Sequence, residues 1–204
     1  MPRSFSPEES GRIRAILMRE GKQLFSSSGL KKTTVDDLVK AAGIAKGSFY
    51  KFYPSKEMLY MEIIESEERT LREGLSLDLL DGGNLNKETI RTFFLSFIDF
   101  LETEPLFLKM FSENALEQLL IKLPEEKVQE HMNRDEEWSD SLIRSWQASG
   151  YLAEMEPDVF AALMRSIFIL FTQKKVIGEE QFQGALGFIF DAMAHQIIAT
   201  RRLP

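Results

Sequence analysis

Thr33-Thr34-Val35-Asp36-Asp37-Leu38-Val39-Lys40-Ala41-Ala42-Gly43-Ile44-Ala45-Lys46-Gly47-Ser48-Phe49-Tyr50-Lys51-Phe52-Tyr53 is the stretch on which the fold turns. Thr34 is placed to cap a short helix whose Val35, Leu38, Val39 and Ala42 share one face, and Gly43 supplies its stop. A second short helix is predicted from about Ala45 to Phe52, ended by Pro54. Two short helices joined by a Gly-containing turn make a helix-turn-helix. Ala41 and Ala42 allow close approach of the pair, and Gly43 can take the left-handed conformation that the turn requires. Ile44, Phe49 and Tyr53 are placed to anchor the second helix to a core. Ala45, Lys46, Ser48, Tyr50 and Lys51 are left facing outward, a set able to reach base edges or phosphates in a major groove. On spacing alone an ordinary helical hairpin with a solvated basic face stays equally open.

Upstream, Ser6-Pro7-Glu8-Glu9 reads as a capping box with proline at the first helical position. Ile13, Ile16, Leu17, Leu24 and Phe25 follow at helical spacing, and Gly29 is the predicted stop. Downstream, Ser55 caps a long helix predicted to reach about Arg72. Asp81-Gly82-Gly83-Asn84 reads as a linker. Asn86 then caps a helix carrying Phe93, Phe94, Phe97, Ile98, Phe100 and Leu101, with Leu85 and Ile90 forming a hydrophobic staple. Pro105, Pro124 and Pro157 open helices near 105–121, 124–149 and 157–176. Gly150 and Gly178 close the last two, and a final helix runs from about Glu179 to Arg201. The pattern predicts an all-α chain of about nine helices without a sheet.

Composition narrows the function classes. With no cysteine, disulfides, thiol catalysis and zinc fingers are excluded, and a reducing, cytoplasmic location is the expectation. No apolar run approaches a membrane span, and the charged N-terminal sequence is unlike a signal peptide. The net charge of −7 is unevenly spread: residues 1–60 hold 11 Lys and Arg against 6 Asp and Glu, a balance of +5, leaving −12 on the remainder. A basic head on an acidic body suits a phosphate-binding module joined to a different kind of domain. An enzyme is disfavoured. The two histidines, His131 and His195, have Val128 and Ala192 three residues before them, where a helical di-iron site requires Glu. The Gly43-to-Gly47 spacing lacks the preceding strand of a nucleotide loop. No metal site or cofactor is expected.

Gly43-Ile44-Ala45-Lys46-Gly47-Ser48-Phe49-Tyr50-Lys51-Phe52-Tyr53-Pro54-Ser55-Lys56-Glu57 resembles the recognition helix and following cap of the TetR family of bacterial regulators. The likeness extends back through Thr33-Thr34-Val35 to the helix from Pro7, covering about the first 60 residues. It implies a three-helix DNA-binding domain over 1–54 and a helical ligand-sensing and dimerisation domain over 55–204. It implies phosphate contacts from Thr33 or Thr34, Tyr50 and Lys56, with Lys46 and the Gly47 backbone along the groove and Ser48 on a base or phosphate. The full DNA-facing set is then Thr33, Thr34, Ala45, Lys46, Gly47, Ser48, Tyr50, Lys51, Tyr53 and Lys56. Two positions depart from the family pattern: Tyr53 stands where Phe is usual, and Phe52 where His or Tyr is frequent. Phe52 cannot donate a hydrogen bond to phosphate.

The apolar residues of the last two long helices exceed one stripe. Phe160, Met164, Phe168, Phe171, Phe182, Leu186, Ile189, Phe190, Met193 and Ile197 are the expected homodimer interface, and Gly184 and Gly187 would permit close helix approach. A dimer presents two recognition helices about 34–36 Å apart, matching a palindromic operator in double-stranded DNA. Phe93, Phe97, Phe107, Met110, Phe111, Trp138, Leu142 and Trp146 are candidate lining for an effector pocket, with Glu113, Asn114 and Gln147 as candidate polar contacts. Sixteen Phe and nine Met suit an adaptable apolar cavity, and also an ordinary core. The expected function is a ligand-responsive repressor, released from DNA by a lipophilic or aromatic small molecule. The alternative is a helical adaptor of the same fold that binds protein.

Overall fold

The computed structural model describes residues 5–80, 85–113, 115–148, 151 and 155–199, and among them there are eleven helices and no strand. These are α1 (Pro7–Lys32), α2 (Val35–Ala42), α3 (Lys46–Phe49), α4 (Lys56–Leu80), α5 (Lys87–Thr103), α6 (Pro105–Ser112), α7 (Ala115–Lys122), α8 (Glu125–Ala148), α9 (Pro157–Thr172), α10 (Lys174–Ile177) and α11 (Glu179–Ala199). The count exceeds nine because two predicted helices are each interrupted. The segment read as 105–121 breaks after Ser112, where Glu113 leaves helical geometry (φ −105°, ψ 1°). The segment read as 157–176 breaks at Gln173 (φ −97°, ψ 13°), whose N–H still donates to Ile169 and Leu170 carbonyls. Neither break carries a proline or glycine, so an apolar period running through it reads as one helix. The linker at 81–84 and Gly150 lie outside the described residues.

The chain divides into two compact units, Met1–Thr70 with Leu101–Glu125, and Leu71–Phe100 with Glu126–Pro204. In the first, the Ser6 capping box forms as its sequence dictates: Glu9 N–H donates to Ser6 Oγ (3.1 Å) and Ser6 N–H to the Glu9 carboxylate (2.9 Å). Gly29, at φ +81°, breaks the regular helix within α1. A Cβ at Gly29 would also displace the flexible end of the Glu113 side chain, but it is the positive φ that calls for glycine there. Gly21 lets α1 approach α4: a Cβ there would sit 3.0 Å from Ile63 Cδ1 and 3.2 Å from Leu59 Cδ2. Around this approach Leu17, Phe25, Leu38, Phe49, Leu59 and Tyr60 are fully buried, and the Phe25 ring meets Tyr60 edge-on at 4.9 Å. α1 packs on α2, α6 and α7 within the same unit.

The second unit is built on aromatic packing. Phe93 lies nearly parallel to Trp138 at 6.4 Å and edge-on to Trp146 at 5.9 Å, Trp146 meets Phe160 at 5.8 Å, and Phe94 stacks on Phe190 at 5.2 Å. Asn86 caps α5, its side-chain oxygen accepting from the Glu88 and Thr89 N–H groups, and Ile90 is fully buried behind it. Arg72 donates to Asp135 and lies over the Trp138 ring.

Candidate nucleic-acid interface

Thr34 caps α2 as its sequence predicts. Asp37 N–H donates to Thr34 Oγ1 at 3.2 Å, while Thr34 N–H (2.9 Å) and hydroxyl (2.6 Å) donate to the Asp37 carboxylate. Those bonds hold the Asp37 carboxyl below the usual carboxylate range. Gly43 ends α2 in the left-handed region at φ +68°, and the Ile44 N–H donates back to Val39. The turn delivers α3, which is shorter than the predicted 45–52. Regular helix covers Lys46–Phe49, and the chain continues in tight turns, with Tyr53 N–H donating to the Phe49 carbonyl at 3.0 Å.

Leu38 and Phe49 hold this pair from beneath, both fully buried. On the outside, Ala45, Lys46, Gly47, Tyr50 and Lys51 are exposed and Ser48 is half-buried. Tyr50 is 52% exposed, its ring edge-on to Phe49 at 5.5 Å. A Cβ at Gly47 would meet no atom of the chain within 4 Å, so internal packing does not require the glycine. A backbone kept bare toward solvent suits the close approach of an external surface.

Three residues of the sequence-predicted contact set face inward instead. Thr33 is 1% exposed, its hydroxyl donating to the Gly29 carbonyl at 2.7 Å. Lys56 donates to the Leu30 (2.7 Å) and Thr33 (2.6 Å) carbonyls, satisfying acceptors at the C-terminal end of α1; burial lowers its affinity for a proton. Tyr53 is 3% exposed beneath the Arg14 guanidinium, which lies 5.4 Å from its ring centre, and burial pushes the phenol up. The Tyr53 ring is drawn in by packing on Phe49 and Arg14, while Thr33 and Lys56 share another physical reason. At a helix end, backbone carbonyls compete for the same donors as phosphate, and the carbonyls are already in reach.

Sequence reasoning missed three features. Phe52 packs on Phe5 (5.8 Å), with Lys51 Nζ 5.2 Å from the Phe5 ring centre, so the family-divergent aromatic has an internal partner. Asp36 pairs with Lys46 at 2.9 Å. Buried Glu57, at the start of α4, accepts from Lys122 of α7 at 2.9 Å. No local signal marks the last contact, which spans 65 residues.

Residues 17–63 match the model for bacterial regulatory proteins of the tetR family. Over that segment the chain is similar to the TetR family of bacterial regulators. The matched segment is the helix-turn-helix described above, and the relatives it resembles are transcriptional regulators. The chain is 23% identical over 154 residues to an HTH-type transcriptional regulator, YhgD, of Bacillus subtilis (strain 168), covering 76% of the chain and 79% of the relative. It is 24% identical over 162 residues, 78% of each protein, to the HTH-type transcriptional repressor KstR2 of Mycolicibacterium smegmatis. Its fold matches the fatty acid degradation regulator FadR of Bacillus halodurans, with a TM-score of 0.58 and 14% identity over 94% of this chain and 96% of the other.

The remaining expected site residues divide between the units. Phe93, Trp138, Leu142 and Trp146 lie in the second, with Phe93 and both tryptophans in direct ring contact and Phe97 half-buried on α5. Phe107 and Met110 are buried in the first, where Phe111 packs on Phe107 at 6.4 Å. Trp146 Nε1 is buried with no hydrogen-bond partner. Glu113 pairs with Lys109 (3.2 Å), Gln147 donates to the Met155 carbonyl (2.9 Å), and Asn114 lies outside the described residues. Of the expected interface residues, Phe160, Met164, Phe171, Phe182, Leu186, Phe190 and Ile197 are buried within the chain itself. Phe168, Ile189 and Met193 are half-buried, and the large exposed apolar side chains of α9 and α11 are Val159, Ile169, Leu170 and Phe188. Among the described residues no helix is long and apolar enough to cross a membrane.

Proposed function

We propose that this regulator is a cytoplasmic repressor that binds a palindromic operator as a two-fold dimer and is released by a small lipophilic or aromatic effector. The observation that carries the reading is the outer surface of α2 and α3. Cationic, hydroxyl and backbone groups point outward there, from a pair of helices fixed by buried Leu38 and Phe49. The interface consists of Thr34, Ala45, Lys46, Gly47, Ser48, Tyr50 and Lys51, while Thr33, Tyr53 and Lys56 hold it from behind. Repression is favoured by the likeness to KstR2, a repressor matched over 78% of both chains.

Dimerisation is supported by α9 and α11. Val159 and Ile169 are more than half exposed on α9, Phe188 is exposed on α11, and Cβ atoms at Gly184 and Gly187 would meet nothing within the chain. The functional division is a DNA-binding domain over 1–54 and a sensor and dimerisation domain over 55–204. The effector site is assigned to the aromatic cluster of Phe93, Trp138 and Trp146. α4 contributes to both compact units and is the element through which binding there reaches the head. An effector weakens DNA binding only by preferring the non-binding conformation, a coupling of about 1–3 kcal/mol in typical cases.

Selection of bound fragments from genomic DNA tests the reading. A recovered inverted repeat is the expected result, and enrichment of no sequence would favour the adaptor alternative.

A further inference from the structure

Asp36 and Lys46 belong to different helices of the helix-turn-helix, and their side chains meet at 2.9 Å while staying 67% and 52% exposed. The fold does not need the pair. Asp37, not Asp36, closes the α2 capping box, and Leu38 and Phe49 supply the buried contacts. Water screens two such exposed charges, so their attraction adds little stability. Asp36 is also out of keeping with its surroundings. Lys31, Lys32, Lys40 and Lys51 are all exposed cations of the same segment, and a carboxylate presented to phosphates costs affinity. Pairing removes that cost and alters what Lys46 offers. Donating to Asp36 holds the ammonium above its ordinary proton affinity, and of its three N–H donors two are left over. The carboxylate keeps free lone pairs beside them. The pair therefore presents two donors followed by an acceptor.

The major-groove edge of a G·C pair is the complement of that order: acceptors N7 and O6 on guanine, then the N4 amino donor on cytosine. An A·T pair sets acceptor, donor, acceptor, which would point the adenine amino group at the ammonium. Lys46 is the first residue of α3, and residues at that end of a recognition helix are the ones that meet base edges. We propose that Asp36 and Lys46 act together as one composite reader of a G·C base pair in each half-site. The inference rests on the DNA-binding reading above.

Its test measures the full chain by fluorescence anisotropy on the selected operator and on versions with each half-site position changed singly. The proteins are wild type, Asp36→Asn, Lys46→Met and the double variant. Wild type should lose about tenfold in affinity when one particular G·C pair becomes A·T. Each single variant should flatten discrimination at that same position, and the double variant should be no flatter than either. Unchanged thermal melts for Asp36→Asn would show that α2 and its Thr34–Asp37 box stay formed. The proposal is overturned if discrimination survives in Asp36→Asn, if the two variants relax different positions, or if their effects simply add. Failure of wild type to select any operator defeats the DNA-binding reading itself, and is thereby told apart from failure of the composite reader.

Discussion

Tyr50 holds its ring out beside fully buried Phe49, so its hydroxyl is the part of the residue with no packing role. Tyr50→Phe should weaken binding to operator and to random duplex equally, by about 0.5–1.5 kcal/mol, because a phosphate contact carries no sequence information. Anisotropy titrations on both duplexes check this; a loss confined to the operator would make Tyr50 a base reader instead. Lys56 makes the opposite prediction. Its ammonium satisfies the Leu30 and Thr33 carbonyls, so Lys56→Met should lower stability by about 1–3 kcal/mol through those orphaned acceptors. Thermal unfolding reads that loss, and an unchanged melt with weakened DNA binding would restore the phosphate role to Lys56.

Elements of the head are held by contacts of two ranges. Gly21 brings α1 against α4, and Gly21→Val should overpack Ile63 and Leu59, costing about 1–3 kcal/mol in chemical denaturation. The start of α4 is tied to α7 by Glu57 and Lys122. Burial pushes the Glu57 carboxyl up, but the Lys122 hydrogen bond, the local backbone N–H and the Lys122 and Lys56 charges outweigh it, so its pKa falls below the ordinary 4.5. A carboxyl depressed on folding stabilises above its unfolded pKa and loses that contribution as pH falls through the folded one. Wild type should therefore lose stability on acidification below about pH 4.5. Lys122→Met should be less stable near neutrality by about 1–2 kcal/mol, less than for a fully buried pair because Lys122 is 57% exposed. Without its partner, only the backbone N–H and Lys56 oppose burial, so the Glu57 pKa should rise and the loss of stability in acid should shrink. Stability against pH by denaturant titration separates the two. The same division of range explains what could be read in the sequence. The boxes Ser6–Glu9 and Thr34–Asp37, and the left-handed Gly43, depend on residues three or four apart and are legible. Lys56 and Thr33 were legible as donors at a helix end but not in their choice of acceptor, since the carbonyls of α1 lie up to 26 residues away from Lys56. Likewise, apolar periodicity marks Phe160, Phe182 and Phe190 for burial without saying whether their own unit or a second copy buries them.

At the scale of the whole molecule, a head of +5 on a body of −12 means that DNA attraction is concentrated in the first 60 residues. One short recognition helix reads few base pairs, so the proposed dimer would gain affinity by joining two heads. The surface proposed for that join is the exposed part of α9 and α11, where Phe188 is the most exposed aromatic, at 78%. Since so little of that ring is packed within its own chain, Phe188→Glu should leave the monomer folded, with an unchanged helical signal. A carboxylate carried into an apolar interface would be buried without a partner, which is far costlier than the ring it replaces. Light scattering should then report a particle near 23.5 kDa in place of twice that mass. Operator affinity should fall by about 10²–10⁴-fold, the advantage that linking two binding modules confers. A folded variant that remains dimeric would move the interface off α11. A variant that becomes monomeric yet keeps full affinity for the palindrome would show instead that one head suffices.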